Sequence, residues 1–373
     1  MKIGLIVPGG VDRSGRILVI PVLLALIERL AKRHEVVVVS LDPNAAPSEY
    51  DLLGARVVTV GPTKARTYLS RAAVTLRRLM SALRAAGGRF DLLHAFWVFP
   101  QGTLAVAAGC LLRKPVVVSI GGGELIWLPT IRYGGMKSIR SRTAIAATLR
   151  AASAVSAPSM YVVRSASKIR ADVRWLPTGV DTTIFGGPIE RTRTAPWRLV
   201  QVAGLNEVKD QETLLKAVQD VAKVFPEVSL DCIGVDALNG RVQTMARDLR
   251  IADIVRFHGV LTVDEIEPFY QKAHLFVQSS LHESMGAAVM EAAAAGVPTV
   301  GTNVGIVAEM APGAALAVPV GNPSALARGI VELLENSARR EALGLAARDF
   351  ARTYNADWTV AQFEEIYRNV LHY

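Results

Sequence analysis

Cysteine is nearly absent. Cys110 and Cys232 are the only two in 373 residues, which excludes a disulfide framework or a cysteine metal set and fits a reducing, cytoplasmic setting. No Asp-x-Asp pair occurs and the six histidines show no ligand spacing, so chemistry without a metal or a resident cofactor is expected. The serines, histidines and cysteines form no recognisable nucleophile arrangement. Long apolar runs are missing too. The longest, Leu18 to Ile27, has ten residues and contains Pro21, whereas a membrane span needs about 20. It follows a strand and loop instead of a basic leader, so no signal peptide is expected. Acids are scarce in the first half: residues 1–185 carry 25 Lys and Arg against 10 Asp and Glu, net +15, leaving 17 against 23, net −6, for the rest. A basic half suits nucleic acid, an anionic membrane surface or an anionic substrate. Without a recognition motif or an aromatic stacking surface, nucleic acid is set aside.

What is present is apolar and repetitive. Hydrophobic residues make up 51% and charged residues 20%. One core stops growing at roughly 250–300 residues, so two domains are expected. Lys2 to Pro8 reads as a buried strand, followed by the loop Gly9-Gly10-Val11-Asp12-Arg13-Ser14-Gly15, a helix from about Ile17 to Arg33 and a strand from Val36 to Leu41. Strand, glycine loop, helix is the unit that sets backbone amides on a phosphate. The loop is not GxGxxG, although Asp42 leaves a dinucleotide reading open. Between Lys64 and Arg89 lie seven basic residues and no acid, on a basic amphipathic helix with Leu69, Ala72, Leu76, Met80 and Leu83 at helical spacing. It reads either as a core-packed helix with a solvated face or as a face for a membrane or an anionic acceptor. Strands at Leu92–Ala95 and Val116–Ile120 follow, the second running into Gly121-Gly122-Gly123-Glu124. Three glycines after a strand mark a close backbone approach where ligands of open α/β sheets bind. There Glu124 is a candidate to orient or deprotonate a hydroxyl, and His94 is either a core residue or an acid/base. After a Gly/Pro-bearing linker the pattern restarts at Leu199, with Lys209 at the head of a helix.

The segment Ser279 to Thr302, SSLHESMGAAVMEAAAAGVPTVGT, reads as strand end, loop, helix and strand. Its helix is expected to start at an N-cap near Ser284 and to stop at Gly296 before Pro298. Glu291 is the one charge in an otherwise apolar helix, so it needs a cleft or a partner. The first amides, around Met285 to Ala288, lack intrahelical partners and form an anion cradle, with Glu283 on one side and Glu291 on the other. An ordinary buried helix with Glu291 at a wet edge is the alternative.

Taken together, Glu283-x7-Glu291 in HESMGAAVMEAAAAGVPTVGT, Leu205-Asn206-Glu207-Val208-Lys209, Phe257-His258-Gly259 and Pro177-Thr178-Gly179-Val180-Asp181 with Phe185 resemble the retaining group 1 (family 4) nucleotide-sugar glycosyltransferases of GT-B fold. The resemblance covers essentially the whole chain. It implies an α/β fold of two Rossmann-like domains facing a central cleft: residues 1–185 for the acceptor, a linker at 186–196, residues 197–354 for the nucleotide sugar, and a final helix, 355–373, crossing back to the first domain. It implies that Glu291 holds the ribose, Glu283 the donor sugar, and Lys209 with the amides of Gly286, Ala287 and Ala288 the pyrophosphate, with Gly9 and Gly10 closing over it. Gly204 and His258 stand in the donor motifs, and Gly121, Gly122 and His94 on the acceptor side. Two departures stand out: Gly204 and Gly121 occupy positions where the family usually has arginine and histidine, and Glu124 is the candidate to replace the latter. The expected activity is metal-independent, retaining transfer from a nucleoside-diphosphate sugar to a glycan or lipid-linked acceptor, in the cytoplasm, with peripheral contact to an anionic membrane. The alternatives are a silent sugar-nucleotide-binding subunit and a sugar-nucleotide epimerase of the same plan.

Overall fold

A computed structural model describes residues 1–188 and 191–372. The chain forms two compact units, residues 1–177 with 356–372, and residues 178–355. Part of the expected linker, residues 189 and 190, lies outside the described residues. Residues 178–188 and 191–196 belong to the second unit.

The first unit is built on β1 (Lys2–Val7), α1 (Pro21–Ala31), β2 (Glu35–Ser40), β3 (Ser48–Leu52), β4 (Ala55–Thr59), α2 (Tyr68–Ala85), β5 (Leu92–Phe96), α3 (Thr103–Leu112), β6 (Val116–Ser119), α4 (Ile139–Ala151), β7 (Ala154–Ala157), α5 (Met160–Ala166) and β8 (Val173–Trp175). The sheet runs in the order β3-β4-β2-β1-β5-β6-β7-β8 and is parallel except for β3. The strands are apolar throughout because both faces are covered. Val37, Val39, Leu93, Ala95, Val116 and Val118 pack under α2, α3 and α4. The alternate residues Val36, Val38, Leu92 and Val117 pack under α1 and a late helix, residues 356–371. The first helix begins at Pro21, not Ile17: proline is favoured in a first helical turn, and Leu18, three-quarters exposed, takes a left-handed φ of 54°. The hairpin partner β3 has no apolar alternation and escapes a reading by pattern.

In the second unit come α6 (Thr182–Phe185), β9 (Trp197–Val202), α7 (Gln211–Val224), β10 (Val228–Ile233), α8 (Arg241–Asp248), β11 (Val255–Phe257), α9 (Val263–Lys272), β12 (Leu275–Gln278), α10 (Ala287–Ala294), β13 (Thr299–Thr302), α11 (Val307–Met310), β14 (Ala315–Val318), α12 (Pro323–Glu335) and α13 (Ser337–Thr353). The all-parallel order β11-β10-β9-β12-β13-β14 reverses direction between β9 and β12, the switch point where open α/β sheets hold ligands beyond their strand ends. The chain then returns to the first unit as α14 (Ala356–Leu371), which buries Val360, Phe363, Ile366 and Tyr367 there.

Candidate active site

The loops after β9 and β12 meet at that switch point. Asn206 caps a single turn, Glu207 to Lys209, accepting the Lys209 amide at 3.3 Å. Lys209 therefore precedes α7 instead of opening it; Asp210, at φ 48°, is the N-cap and accepts the Thr213 amide. The Leu281 amide donates to the Val208 carbonyl at 2.8 Å, and Ser279 Oγ donates to the Lys209 carbonyl at 2.7 Å. These bonds lock the two loops together, so Lys209 Nζ meets Glu283 Oε1 at 2.5 Å. Ser280 Oγ donates to the same oxygen at 2.8 Å. Both partners of this pair are largely shielded from water, at 24% and 13% side-chain exposure, which makes the charges stronger than on a surface.

Gly286, at φ 94°, caps α10, in place of the expected Ser284. A left-handed cap is glycine's conformation. A Cβ there would lie 3.2 Å from Gln278 Nε2 and 3.9 Å from Glu283 Cγ, so the loop carrying Glu283 passes close over the first turn. The amides of Ala287 and Ala288 precede any i−4 carbonyl of the helix. Farther along, Glu291 is buried and accepts the Tyr270 hydroxyl at 2.8 Å. Burial lifts its carboxyl from the ordinary 4.5 to about 7, while the Tyr270 bond pulls the other way. Tyr270 went unforeseen from the sequence; the clue is that a buried tyrosine hydroxyl usually finds a partner. At Gly204 a Cβ would make only ordinary contacts, 3.4 Å from Asn206 Nδ2 and Val235 Cγ1. Its carbonyl accepts from Gln211 Nε2. His258 turns elsewhere: its Nε2 sits 2.7 Å from Asp231 Oδ1 and its ring packs edge-on against Phe269.

In the first unit His94 takes the core reading, and Glu124 takes a role other than the one expected. His94 is fully buried, sharing hydrogen bonds with the Tyr367 hydroxyl at 2.7 Å and Ser119 Oγ at 2.8 Å. Burial drops its imidazole to about 3. It ties β5 to α14 as a neutral core residue, away from solvent. Glu124 spends both oxygens on backbone: Oε1 accepts the amides of Val98 and Gly121 at 3.0 and 3.1 Å, and Oε2 accepts that of Gly122 at 2.5 Å. It is a post that holds the glycine loop, not a base. The side chain beside that loop is Trp97, which takes a left-handed φ of 71° just past β5. A Cβ at Gly121 would lie 3.0 Å from the Trp97 ring, and one at Gly122 2.7 Å from its Nε1. The indole thus fills the space where a side chain at 121 would begin. A bulky residue at positive φ is strained, and such strain gathers at functional sites. The clue in the sequence was a tryptophan one residue beyond a strand neighbouring the Gly121–Gly123 loop. Gly9 and Gly10, at φ 142° and 73°, line a cavity of the first unit of about 520 Å³ with Asp12, Asp42 and Tyr50. Among the described residues no group of three or more His, Cys, Asp or Glu is placed to hold a metal.

Residues 21–184 match the family described as Glycosyltransferase Family 4, and residues 188–350 match Glycosyl transferases group 1. The chain belongs to the group 1, family 4 glycosyltransferases. A D-inositol 3-phosphate glycosyltransferase of Paenarthrobacter aurescens is 24% identical over 310 residues, which is 78% of this enzyme and 75% of that one. Among solved structures, sucrose-phosphate synthase from Thermosynechococcus elongatus superposes with a TM-score of 0.79 at 17% identity, each chain fully covered. Anabaena HepE, crystallised with UDP and glucose, gives 0.75 at 16% over 99% of this glycosyltransferase and all of that chain. At these identities the two structures establish the fold alone, GT-B.

Proposed function

We propose that this glycosyltransferase moves a sugar from a nucleoside-diphosphate sugar to an anionic glycan or lipid-linked acceptor, with retention and without a metal. One observation carries the reading: the shielded Lys209–Glu283 pair stands over the glycine-capped first turn of α10, in the helix that also buries Glu291. Glu291 binds the ribose hydroxyls as an acceptor. Lys209 and the Ala287 and Ala288 amides meet the diphosphate, and Glu283 holds the donor sugar while fixing the lysine. A departing nucleoside diphosphate gains negative charge, and fixed donors of this kind are each worth roughly 3–4 kcal/mol when preorganised. HepE, crystallised with UDP and glucose, supports a donor of this class. The first unit holds the acceptor: its net charge of +15 over residues 1–185 and the relative named for D-inositol 3-phosphate support an anionic one. Its proposed place is the cytoplasmic membrane surface; no helix among the described residues is long and apolar enough to cross a membrane.

Screening UDP-, GDP- and ADP-sugars for thermal stabilisation identifies the donor, since a ligand of the folded state raises its stability. With that donor, Lys209→Ala and Glu291→Ala are each expected to lower transfer roughly 10²–10³-fold. Near-normal rates from both variants would reject the assignment.

A further inference from the structure

A second cluster of charge lies in the second unit, at the other end of α10. Arg191, Arg193, Arg340 and Arg348 line a cavity of about 220 Å³ with Gly296, Leu345 and one carboxylate, Glu341. Glu341 pairs with Arg193 at 3.2 Å. Among the described residues no carboxylate pairs with Arg191, Arg340 or Arg348. Three like charges held together in partial burial are costly unless something negative joins them. The cost is visible in the cluster and beside it: Arg191 is held down at about 10, by burial first and then by Arg340 and Arg348, with only Glu341 pulling the other way. His274 is held at about 4, again by burial first, with Arg340 and Arg191 adding to it.

Each guanidinium is fixed by backbone carbonyls. Arg191 Nη2 donates to the Gly296 carbonyl, Arg348 Nη2 to that of Gly186 at 2.7 Å, and Arg340 to those of Leu333, Leu334 and Arg193 at 2.8 to 3.1 Å. Arg340 also lies over the Trp197 ring at 4.9 Å. Carbonyl capping accounts for Arg340, which is satisfied by it. It does not account for the other two, because Arg191 Nη1 and Arg348 Nε are buried with no hydrogen-bond partner among the described residues. Unused donors on pre-oriented guanidinium forks match the several acceptor oxygens of a tetrahedral oxyanion. The volume is below the roughly 300–1,000 Å³ of pockets for larger ligands, which excludes a nucleotide.

We propose that this arginine cavity binds a phosphate group, as inorganic phosphate or as the head of a small phosphomonoester, at a site distinct from that of the sugar donor. Gly296 lies just past Ala295, the C-cap of α10, so the cavity adjoins the helix end opposite the Ala287 and Ala288 amides.

The test is calorimetric titration in the Lys209→Ala background, which removes the proposed donor-site cation. The probes are inorganic phosphate and glycerol 3-phosphate, each against chloride at equal ionic strength, and vesicles containing phosphatidic acid. Two variants report on the cavity: Arg348→Met keeps the aliphatic stem, and Leu345→Glu places a carboxylate at a side chain that is 62% exposed and so does not disturb folding. Both are expected to weaken phosphate binding by about tenfold or more, and Leu345→Glu to raise Tm in phosphate-free, low-salt buffer. A response to the soluble probes identifies a free phosphate or ester. One confined to the vesicles and lost in Leu345→Glu identifies a lipid headgroup in the same site. No response beyond that of chloride, or affinities unchanged in both variants, would overturn the proposal.

Discussion

Glu291 carries a conflict between folding and binding. Its folded carboxyl titrates near 7, above the ordinary 4.5, so ionisation costs the fold. The stability it contributes is complete below 4.5 and is lost as pH rises through about 7, a change of roughly 3 kcal/mol. In the proposed role donor binding would run the other way, because only the carboxylate can accept two ribose hydroxyls. Donor affinity is therefore expected to fall about tenfold between pH 8 and pH 6. Glu291→Gln should flatten that profile while unfolding at higher urea than the parent at pH 8, a gap that closes toward pH 5. A second residue-scale prediction concerns Trp97. Gly122→Ala puts a Cβ 2.7 Å from its Nε1 and should cost about 1–3 kcal/mol. In a double-mutant cycle with Trp97→Ala that penalty should shrink by at least about 0.5 kcal/mol; an additive result would deny the contact.

At the scale of elements, the glycine loop after β6 owes its shape to Glu124. Glu124→Ala leaves three amides without their acceptor, and stability should drop by about 3 kcal/mol or more. Glu124→Gln should lower Tm yet leave the pH dependence of kcat unmoved, because both carboxylate oxygens are taken up by the backbone amides of Val98, Gly121 and Gly122. Much of this architecture was legible beforehand. Uninterrupted runs such as Val36 to Leu41 could only be strands covered on both faces, and a glycine or lysine loop after each opening strand marked where amides and charge would gather. Glu283 was legible as a loop acid and Glu291 as a charge stranded in an apolar helix. What escaped depends on pairing across distance. Nothing near Glu124 in the chain announces the Val98 amide, and nothing near His94 announces the Tyr367 hydroxyl, 273 positions away. The N-cap went to Gly286 over Ser284 because the backbone turns left-handed there, at φ 94°, a conformation that glycine takes freely and that serine's capping preference does not reveal.

At the scale of the whole molecule, the basic surplus of the first half has an apolar companion. Leu69 and Ile139, 77% and 80% exposed, sit in the first turns of α2 and α4. Exposed Lys64, Arg66, Arg71, Lys137, Arg140 and Arg142 flank them in sequence. Each basic residue near an anionic leaflet adds about 1 kcal/mol, and an inserted leucine or isoleucine adds about 1.5–3 kcal/mol. The Leu69→Glu, Ile139→Glu double variant should therefore cosediment at least tenfold less with anionic vesicles while retaining its rate on a soluble acceptor analogue. Equal cosedimentation would remove the membrane from the proposed function. The interrupted path of the first unit has a different consequence, one of timing. Its sheet waits for α14, and all 178 residues from Thr178 to Asn355 are synthesised in between. At roughly 5–20 residues per second, the face formed by Leu5, Val38 and Leu92 stands without Phe363 and Tyr367 on the ribosome for on the order of ten to forty seconds. The second unit can fold in that interval, so the half of the molecule translated first is the last to be finished.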